Sequence, residues 1–356
     1  MPWNPLKIIP KNFLGIDVGT SSIKVIELSR VGERRKLENY GEMEAGAFFE
    51  KPFRTFEKST LTVFSQDVAR AILAILNETK IQTREACFSI PDFSTFFTWF
   101  SLPPMTKEEI DQGVKYEARQ HIPVPLNEVV LDWQIISGEI SDDKKRAPVK
   151  ILLVAVPNEI IRQYQEIATL ANLKLRALEA EVFALARALV RNHKEAQLLV
   201  DIGAQSTTVS VIDKGVLKRS HSFDISGNEF TSIISKGFGL DYKSAEMLKR
   251  KHGLLPSEQN TKDSLLPLID LILNEIEKVS FNFYQQEAKE IEKVVIAGGS
   301  ALMPGLIEYF SEKLKKQVEV ANPFADIFYP PILETSLKKV APSYAIAVGA
   351  ALRGLQ

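Results

Sequence analysis

The chain has 356 residues, of which 45% are hydrophobic and 25% are charged, so it is long enough to bury two hydrophobic cores. A net charge of −1 gives no electrostatic reason to expect nucleic acid as a partner, and a single cysteine excludes an internal disulfide. The four histidines lack metal-ligand spacing, and no apolar run approaches the roughly 20 residues of a membrane-spanning helix. These features predict a cytoplasmic protein without a membrane span.

The first motif joins two apolar runs, residues 13–18 and 23–28, through a short polar turn, which predicts a β-hairpin. A glycine and hydroxyl side chains beside exposed backbone N–H groups form a small anion-binding concavity. Asp17 would point into the same space, and a carboxylate beside a phosphate requires a hard cation such as Mg²⁺ between them. An Asp-x-Gly turn on its own is more often only turn chemistry. The candidate phosphate-binding residues are Gly19, Thr20, Ser21, Ser22 and Lys24.

A compact unit without a phosphate motif follows the helix predicted for residues 66–77. Its elements are strands at 85–90 and 95–102, a helix that begins with a capping box from Thr106 to Glu109, and strands at 129–137 and 149–156. This order predicts an inserted subdomain over residues 83–156. Its aromatic residues exceed what so small a sheet would bury, which favours a partner site. For half of them the alternative of a simple core must hold, since successive strand side chains face opposite ways. These residues are Phe93, Phe96, Phe97, Trp99, Phe100 and Tyr116.

A second copy of the hairpin motif lies at residues 199–212, about one domain length after the first. Asp201 matches Asp17, Gly203 matches Gly19 and Ser206 matches Ser22. A third motif, at residues 294–306, runs from a buried strand into a Gly-Gly turn and then into a helix whose start is marked by a proline, Pro304. Glycines at such a turn let the backbone approach a flat ligand closely. The repetition predicts two similar halves that clamp a phosphate tail between facing hairpins.

The three motifs in this order resemble the actin-like ATPase superfamily, in which the first two are phosphate hairpins and the third is the adenosine motif. The segment at residues 105–133 is similar to the characteristic segment of the type IV pilus assembly protein PilM family, an FtsA-like branch of that superfamily, and the similarity extends over essentially the whole chain. The resemblance implies an α/β actin-like ATPase fold with two duplicated domains around a nucleotide cleft and a small α+β insertion. The implied domains are 1–195 with 340–356, which contain the insertion 83–156, and 196–339.

The resemblance also implies the cofactors ATP and Mg²⁺, with Asp17 and Asp201 holding the metal largely through its waters. Glu179 or Glu181, near the start of a helix between the domains, would act as a general base or an indirect Mg²⁺ ligand; for each, the alternative is a favourable carboxylate at a helix N-terminus. Glu246 and Lys249 would lie near the ribose or base, or would form an ordinary surface pair. In addition to the first loop and this pair, the nucleotide-binding residues would be Gly203, Gln205, Ser206, Thr207, Gly227, Gly298, Gly299, Ser300 and Met303.

The implied function is an ATP-binding scaffold, at most a slow ATPase, of the inner-membrane platform that assembles type IV pili. It would dock the cytoplasmic N-terminal tail of a PilN-like membrane protein and so lie at the inner face of the membrane; other platform proteins and the pilus motor ATPases are further candidate partners. One alternative is a kinase of the same superfamily, although no catalytic aspartate is evident outside the Mg²⁺ positions. The other is a type II secretion or FtsA-like membrane-associated ATPase, although the C-terminal residues do not form an amphipathic membrane helix.

Overall fold

The structure, a computed structural model, describes residues 12–48, 51–57, 60–138, 147–192 and 194–356; the first eleven residues of the predicted first domain lie outside this set. Its strands are β1 (Asn12–Val18), β2 (Ser22–Val31), β3 (Arg34–Glu44), β4 (Arg54–Glu57), β5 (Thr60–Val63), β6 (Glu85–Ile90), β7 (Phe96–Leu102), β8 (Val129–Ser137), β9 (Val149–Pro157), β10 (Lys174–Ala180), β11 (Gln197–Ile202), β12 (Thr207–Asp213), β13 (Val216–Phe223), β14 (Lys293–Ala297), β15 (Gln317–Val320) and β16 (Ile327–Phe328). Its helices are α1 (Ala45–Phe48), α2 (Ser65–Glu78), α3 (Lys107–His121), α4 (Asn158–Leu170), α5 (Glu181–Leu189), α6 (Gly227–Phe238), α7 (Tyr242–His252), α8 (Gln259–Glu287), α9 (Leu306–Leu314), α10 (Glu334–Val340) and α11 (Ala345–Gly354).

The first half is built on a six-stranded sheet in the order β10-β6-β1-β2-β3-β16. The predicted first hairpin is confirmed, because β1 and β2 pair antiparallel with Asp17 opposite Lys24. Alternation along β1 divides its side chains between two cores. Leu14 and Ile16 pack with the α2 and α4 side, whereas Phe13 packs with the α5 and α11 side.

The second half repeats this topology in a five-stranded sheet, β13-β12-β11-β14-β15. In both halves an antiparallel three-strand meander is followed, on the side of its first strand, by two parallel strands. The second hairpin is confirmed with Asp201 opposite Thr208. Helices α6 and α8 cover one face of this sheet, while residues such as Leu199 and Val295 on the other face join the core around α5 and α11.

Helices α5 and α11 pack closely on each other and against β1, as the alanine-rich sequences of both predict. A Cβ at Gly349 would lie 1.8 Å from the carbonyl oxygen of Ala184, and one at Gly15 would lie 1.9 Å from that of Ala347. No larger residue fits at either contact. The pair therefore forms the core between the two sheets, and α11 packs against β1 of the first half.

The insertion is a three-stranded sheet, β7-β9-β8, covered on one face by α3. The predicted capping box between Thr106 and Glu109 is present at the start of α3. The strand Glu85–Ile90, which the sequence interpretation placed in the insertion, instead pairs in parallel with β1 and β10. Its five residues after Glu85 are all buried, which suits a central strand covered on both faces. The domain boundaries otherwise stay a prediction.

Most of the aromatic residues of the insertion are partly buried and pack against the cores of the molecule. Phe96 and Phe100 lie against the core under α3, and the Trp99 indole N–H donates to the carbonyl oxygen of Leu217 in the second half at 3.1 Å. Tyr116 remains 66% exposed. The aromatic surplus therefore largely serves the core and the contact with the body of the protein.

The start predicted for the helix after the third motif is wrong. Helix α9 begins at Leu306, and its N-cap is Gly305 with a φ of 79°, a left-handed conformation that glycine adopts without strain. Pro304 therefore precedes the helix. None of the helices in the described ranges is both long and apolar enough to cross a membrane.

Candidate functional site

The two Asp-x-Gly loops have the same backbone turn. The N–H of Gly19 donates to the carbonyl of Ser22, and that of Gly203 donates to the carbonyl of Ser206, each at 3.0 Å. A Cβ would lie 2.7 Å from the acceptor oxygen in the first loop and 2.9 Å in the second. Neither glycine has a positive φ, so both are needed for space and not for left-handed geometry.

The two loops lie next to each other and are joined by hydrogen bonds. The Thr20 hydroxyl of the first loop donates to the side-chain oxygen of Gln205 in the second at 3.2 Å. The Gln205 amide nitrogen donates to the carbonyl of Phe56, and the N–H of Phe53 donates to the carbonyl of Thr20, both at 3.1 Å. The β4–β5 ribbon and the segment before it thus contact both loops. Ser21 is exposed, and Ser206 is partly exposed beside its loop carbonyls.

Buried carboxylates gather near the carboxyl ends of β1 and β6 and the start of α5. Asp17 accepts a hydrogen bond from the Ser89 hydroxyl at 2.9 Å. Asp92 accepts from the backbone N–H of Val182 at 3.1 Å, and its own N–H donates to Glu181 at 3.4 Å. The helix N-terminus and the first hairpin therefore place their acidic groups side by side.

The protonation equilibria of this cluster reflect crowded negative charge. Burial and the neighbouring Glu181 raise the pKa of Asp92 well above its usual range. Burial raises the pKa of Glu181, with Asp17 adding to the effect and Arg54 opposing it. Burial, Glu181 and Asp17 together raise the pKa of Asp201 to about 7. The carboxylates of both halves thus share one electrostatic site that favours a bound cation.

Two basic side chains enter the same site. The Lys24 ammonium donates to the Ser22 hydroxyl at 2.6 Å and lies 3.3 Å from Glu42. Arg54 pairs with Glu181 at 2.9 Å. Burial would lower the pKa of Arg54, but Glu181 and other acidic neighbours hold it above its usual value. Both groups suit an anionic ligand between the loops.

The donor set fits a hydrated hard cation better than a directly chelated one. Within the described residues, no three His, Cys, Asp or Glu side chains are arranged to hold a metal ion. Oxygen donors and retained waters are what Mg²⁺ prefers. Asp17 and Asp201 are the carboxylates carried by the two loops themselves, so they are the residues that would orient such an ion.

The Lys249 ammonium lies at the junction of the second loop and α7. It is 5% exposed, donates to the Gly227 carbonyl and the Thr231 hydroxyl at 2.9 Å each, and lies 2.6 Å from Glu246. Burial would raise the pKa of Glu246, but Lys249 and its other partners lower it below the usual value. The predicted pair is therefore a buried support for Gly227 and not an ordinary surface pair.

The third motif presses directly on the second hairpin. Gly298 has a φ of 91°, and a Cβ there would lie 2.3 Å from the carbonyl oxygen of Ile202. Gly299 is exposed, and a Cβ added to it would meet no atom of the described residues within 4 Å. Ser300 is 6% exposed and Met303 is 5% exposed, with Met303 packed in the core. Gly299 therefore faces open space, whereas Gly298 serves the turn.

Two predicted residues are occupied by other contacts. Both carboxylate oxygens of Glu179 accept from Arg187, at 2.6 and 2.8 Å. The hydroxyl of Thr207, which is fully buried, donates to the carbonyl of Ile225 at 2.6 Å. Of the two candidate bases, Glu181 is the one that the structure brings to the acidic cluster.

Three residues of the site were missed in the sequence interpretation: Arg54, Ser89 and Asp92. The last two lie at and just after the end of β6, which is parallel to β1. Carboxyl ends of parallel strands meet at one edge of a sheet, so this position was a usable signal. Arg54 carries no comparable signal, because tertiary packing of the β4–β5 ribbon brings it to the cleft.

Comparison with known proteins agrees with this architecture. Residues 15–355 match the sequence profile of the family described as type IV pilus assembly protein PilM. The chain belongs to this family. The cell division protein FtsA of Bacillus subtilis is 24% identical over 240 residues, covering 58% of this chain and 54% of that protein, so the match spans about half of that relative. FtsA of Enterococcus faecalis is 21% identical over 351 residues, which cover 87% of this chain and 78% of that protein.

Solved structures show the same fold. A PilM-PilN type IV pilus biogenesis complex has a TM-score of 0.80 at 24% identity and covers 96% of this chain and 98% of that one. MreB 5 of Spiroplasma citri bound to AMPPNP has a TM-score of 0.54 at 12% identity and covers 96% of each chain. The predicted PilM family membership and the actin-like ATPase fold are confirmed.

Proposed function

We propose that this PilM-family protein binds ATP with Mg²⁺ between its two halves and serves as a scaffold of the type IV pilus assembly platform. The observation that carries the nucleotide proposal is the pair of identical glycine turns, joined by the Thr20–Gln205 hydrogen bond beside the shared carboxylate cluster. In this proposal the backbone N–H groups of both loops bind phosphate oxygens, and Asp17 and Asp201 orient the hydrated metal ion.

The likeness to MreB 5 bound to AMPPNP supports a nucleotide in this cleft. The nucleoside would lie beside Gly299, where the backbone borders open space, with Gly227, Glu246 and Lys249 forming the wall behind it. Hydrolysis is expected to be slow. Glu181 is the remaining candidate base, and its ion pair with Arg54 restrains it from orienting water.

Calorimetry tests the nucleotide site. ATP is expected to bind more tightly with Mg²⁺ than without it. Gly299→Val, which adds a side chain in open space, should weaken ATP binding at least about 10-fold by excluding the nucleoside. Gly237→Val is the matched control. A Cβ at Gly237 would also meet no atom of another described segment within 4 Å, but this residue lies in α6. Absence of ATP binding to the wild-type protein would contradict the proposal, as would equal loss in both variants.

The proposed partner is the cytoplasmic N-terminal tail of a PilN-like membrane protein, which would hold the scaffold at the inner face of the membrane. The likeness to a PilM-PilN complex supports this partner. A cavity of about 510 Å³ beside the insertion offers a place for an extended peptide. Its walls come from all three parts of the molecule: Gln134 from the insertion, Phe183 from α5 and Leu217 from the second half. The exposed guanidinium of Arg35 lies at its border and would suit an acidic group.

A peptide with the tail sequence of the organism's own PilN-like protein tests this groove by fluorescence anisotropy. Ala186→Trp, which fills the cavity, should weaken peptide binding at least about 10-fold while leaving Mg²⁺·ATP binding unchanged. Tyr116→Ala is the control, because it removes the exposed aromatic residue on α3. If Tyr116→Ala abolishes binding and Ala186→Trp does not, the peptide binds the insertion's helix and the cavity is not the site.

A further inference from the structure

The β4–β5 ribbon holds one arginine against the cleft. The residue before it, Phe53, is fully buried and bonds through its N–H to the carbonyl of Thr20 in the first phosphate loop. The Phe56 ring packs on Phe93 with centroids 4.4 Å apart. The ribbon is therefore anchored on both sides of Arg54, and the guanidinium is held beside the loop.

The hydrogen-bonding capacity of the Arg54 guanidinium is only partly used. The residue is 7% exposed, and its Nη2 donates to Glu181 at 2.9 Å. Its Nε and Nη1 have no hydrogen-bond partner in the described part of the chain. The Tyr164 hydroxyl lies within hydrogen-bonding reach of the guanidinium, although no well-aligned hydrogen bond joins the two groups. Buried donors of a charged group are costly to leave unpaired, so an acceptor that reached these N–H groups would bind favourably.

Pairing with Glu181 is not enough to explain why the Arg54 guanidinium is buried at this place. That pairing uses a single N–H group of Arg54 and leaves its Nε and Nη1 without a well-aligned acceptor. The guanidinium also acts electrostatically on Asp17 and Asp201, the acidic residues of the two facing hairpins. An anion held between the hairpins would therefore come within its reach, and a forked guanidinium is the side chain best matched to phosphate oxygens.

We propose that Arg54 contacts the terminal phosphate of the bound nucleotide through Nε and Nη1, so that the site distinguishes a nucleoside triphosphate from a diphosphate. This inference rests on the nucleotide site proposed above. Arg54 would bridge the terminal phosphate and Glu181. The ribbon also contacts Gln205 of the second half through the carbonyl of Phe56, so it would connect the terminal phosphate to both halves of the protein.

The test is the ratio of ATP to ADP affinity, measured by calorimetry with Mg²⁺ on the full chain. Arg54→Met is expected to weaken ATP binding about 10- to 100-fold and ADP binding less than about 3-fold. Arg54→Lys keeps the charge but loses the fork, so an intermediate loss for ATP is expected. Arg84→Met is the control, since that partly buried arginine donates to the nearby backbone carbonyls of Ile81 and Thr83.

Two further variants keep the inference open to contradiction. If Arg54→Met does not fold, Arg54→Met combined with Glu181→Gln removes both partners of the buried ion pair and should show the same selective loss. Tyr164→Phe should keep the wild-type ratio. Equal losses for ATP and ADP, an unchanged ratio, or the same loss in Tyr164→Phe would each overturn the contact. A wild-type protein that binds neither nucleotide would overturn the proposed function itself.

Discussion

The two Asp-x-Gly hairpins have the same turn but different surroundings. In each, a segment that follows the third strand of the meander bonds to the loop carbonyls: Ala45 donates to Ser21 in the first half, and Gly227 donates to Gly203 in the second. Local sequence and topology thus repeat together. The neighbouring residues that complete each loop are not repeated, so they differ between the two halves.

Two basic side chains lie at the first hairpin, whereas a backbone contact and one buried lysine support the second. Lys24 lies on the first hairpin, and Arg54 is held beside it. The backbone of Gly298 packs against the second hairpin, and the buried Lys249 ammonium donates to Gly227 beside it. A duplicated motif can therefore keep its turn while the residues that surround its two copies differ.

The backbone contact behind the second hairpin should give the largest effect. Gly298→Ala places a Cβ 2.3 Å from the Ile202 carbonyl oxygen in a left-handed conformation. We expect a loss of about 2–4 kcal/mol in the free energy of unfolding, measured in urea. Gly299→Ala is the neighbouring control and should change it by less than about 1 kcal/mol. Similar losses in both variants would show that Gly298 has no special role in bracing the hairpin.

The two loop aspartates should behave alike towards the metal. Asp17→Asn and Asp201→Asn are each expected to weaken ATP binding about 10- to 100-fold with Mg²⁺ and less without it, because each orients the hydrated ion in the proposed site. Calorimetry with Mg²⁺ and with EDTA measures the difference. A variant that loses affinity equally in both conditions has lost a structural contact, such as the Ser89 bond to Asp17.

The pKa of about 7 for Asp201 predicts a pH dependence of stability without nucleotide. The unfolded carboxyl titrates near pH 4, so between about pH 4 and 7 the folded state holds the extra proton. The free energy of unfolding should therefore fall as pH rises through this window, by on the order of 1–3 kcal/mol. Urea unfolding at pH 5 to 8 measures the slope. Asp201→Asn should reduce this slope. If the slope is unchanged in that variant, the titrating group is Asp92 or Glu181.

The hydrogen bond between the halves should give the smallest effect. Thr20→Val removes the hydroxyl that donates to Gln205 and keeps the side-chain shape. A double-mutant cycle with Gln205→Leu is expected to give a coupling of about 0.5–1.5 kcal/mol in urea unfolding. Ser21→Ala, in the same loop but exposed, should show no coupling to Gln205→Leu. A coupling near zero for Thr20 would mean that the loops face each other without this bond contributing to stability.

The hairpins, the family and most elements were accessible from the sequence because they depend on local signals. Alternating apolar residues around Asp17 and Asp201 predict both turns, and the spacing from Thr106 to Glu109 predicts the start of α3 correctly. The assignment of Glu85–Ile90 to the insertion failed, since a buried strand has the same local pattern in either sheet.

The sequence by itself determined the turns, because a glycine beside a close carbonyl and an alternating apolar pattern act within a few residues of chain. Only the tertiary structure decided which polar groups share a site. It paired Glu179 with Arg187 and brought Glu181, two residues on, to Arg54 and Asp92. It also separated Gly298, which braces a hairpin, from Gly299, which borders open space. The physical reason is that burial, charge neighbours and free volume depend on segments far apart in the chain, and no local pattern encodes which of them meet.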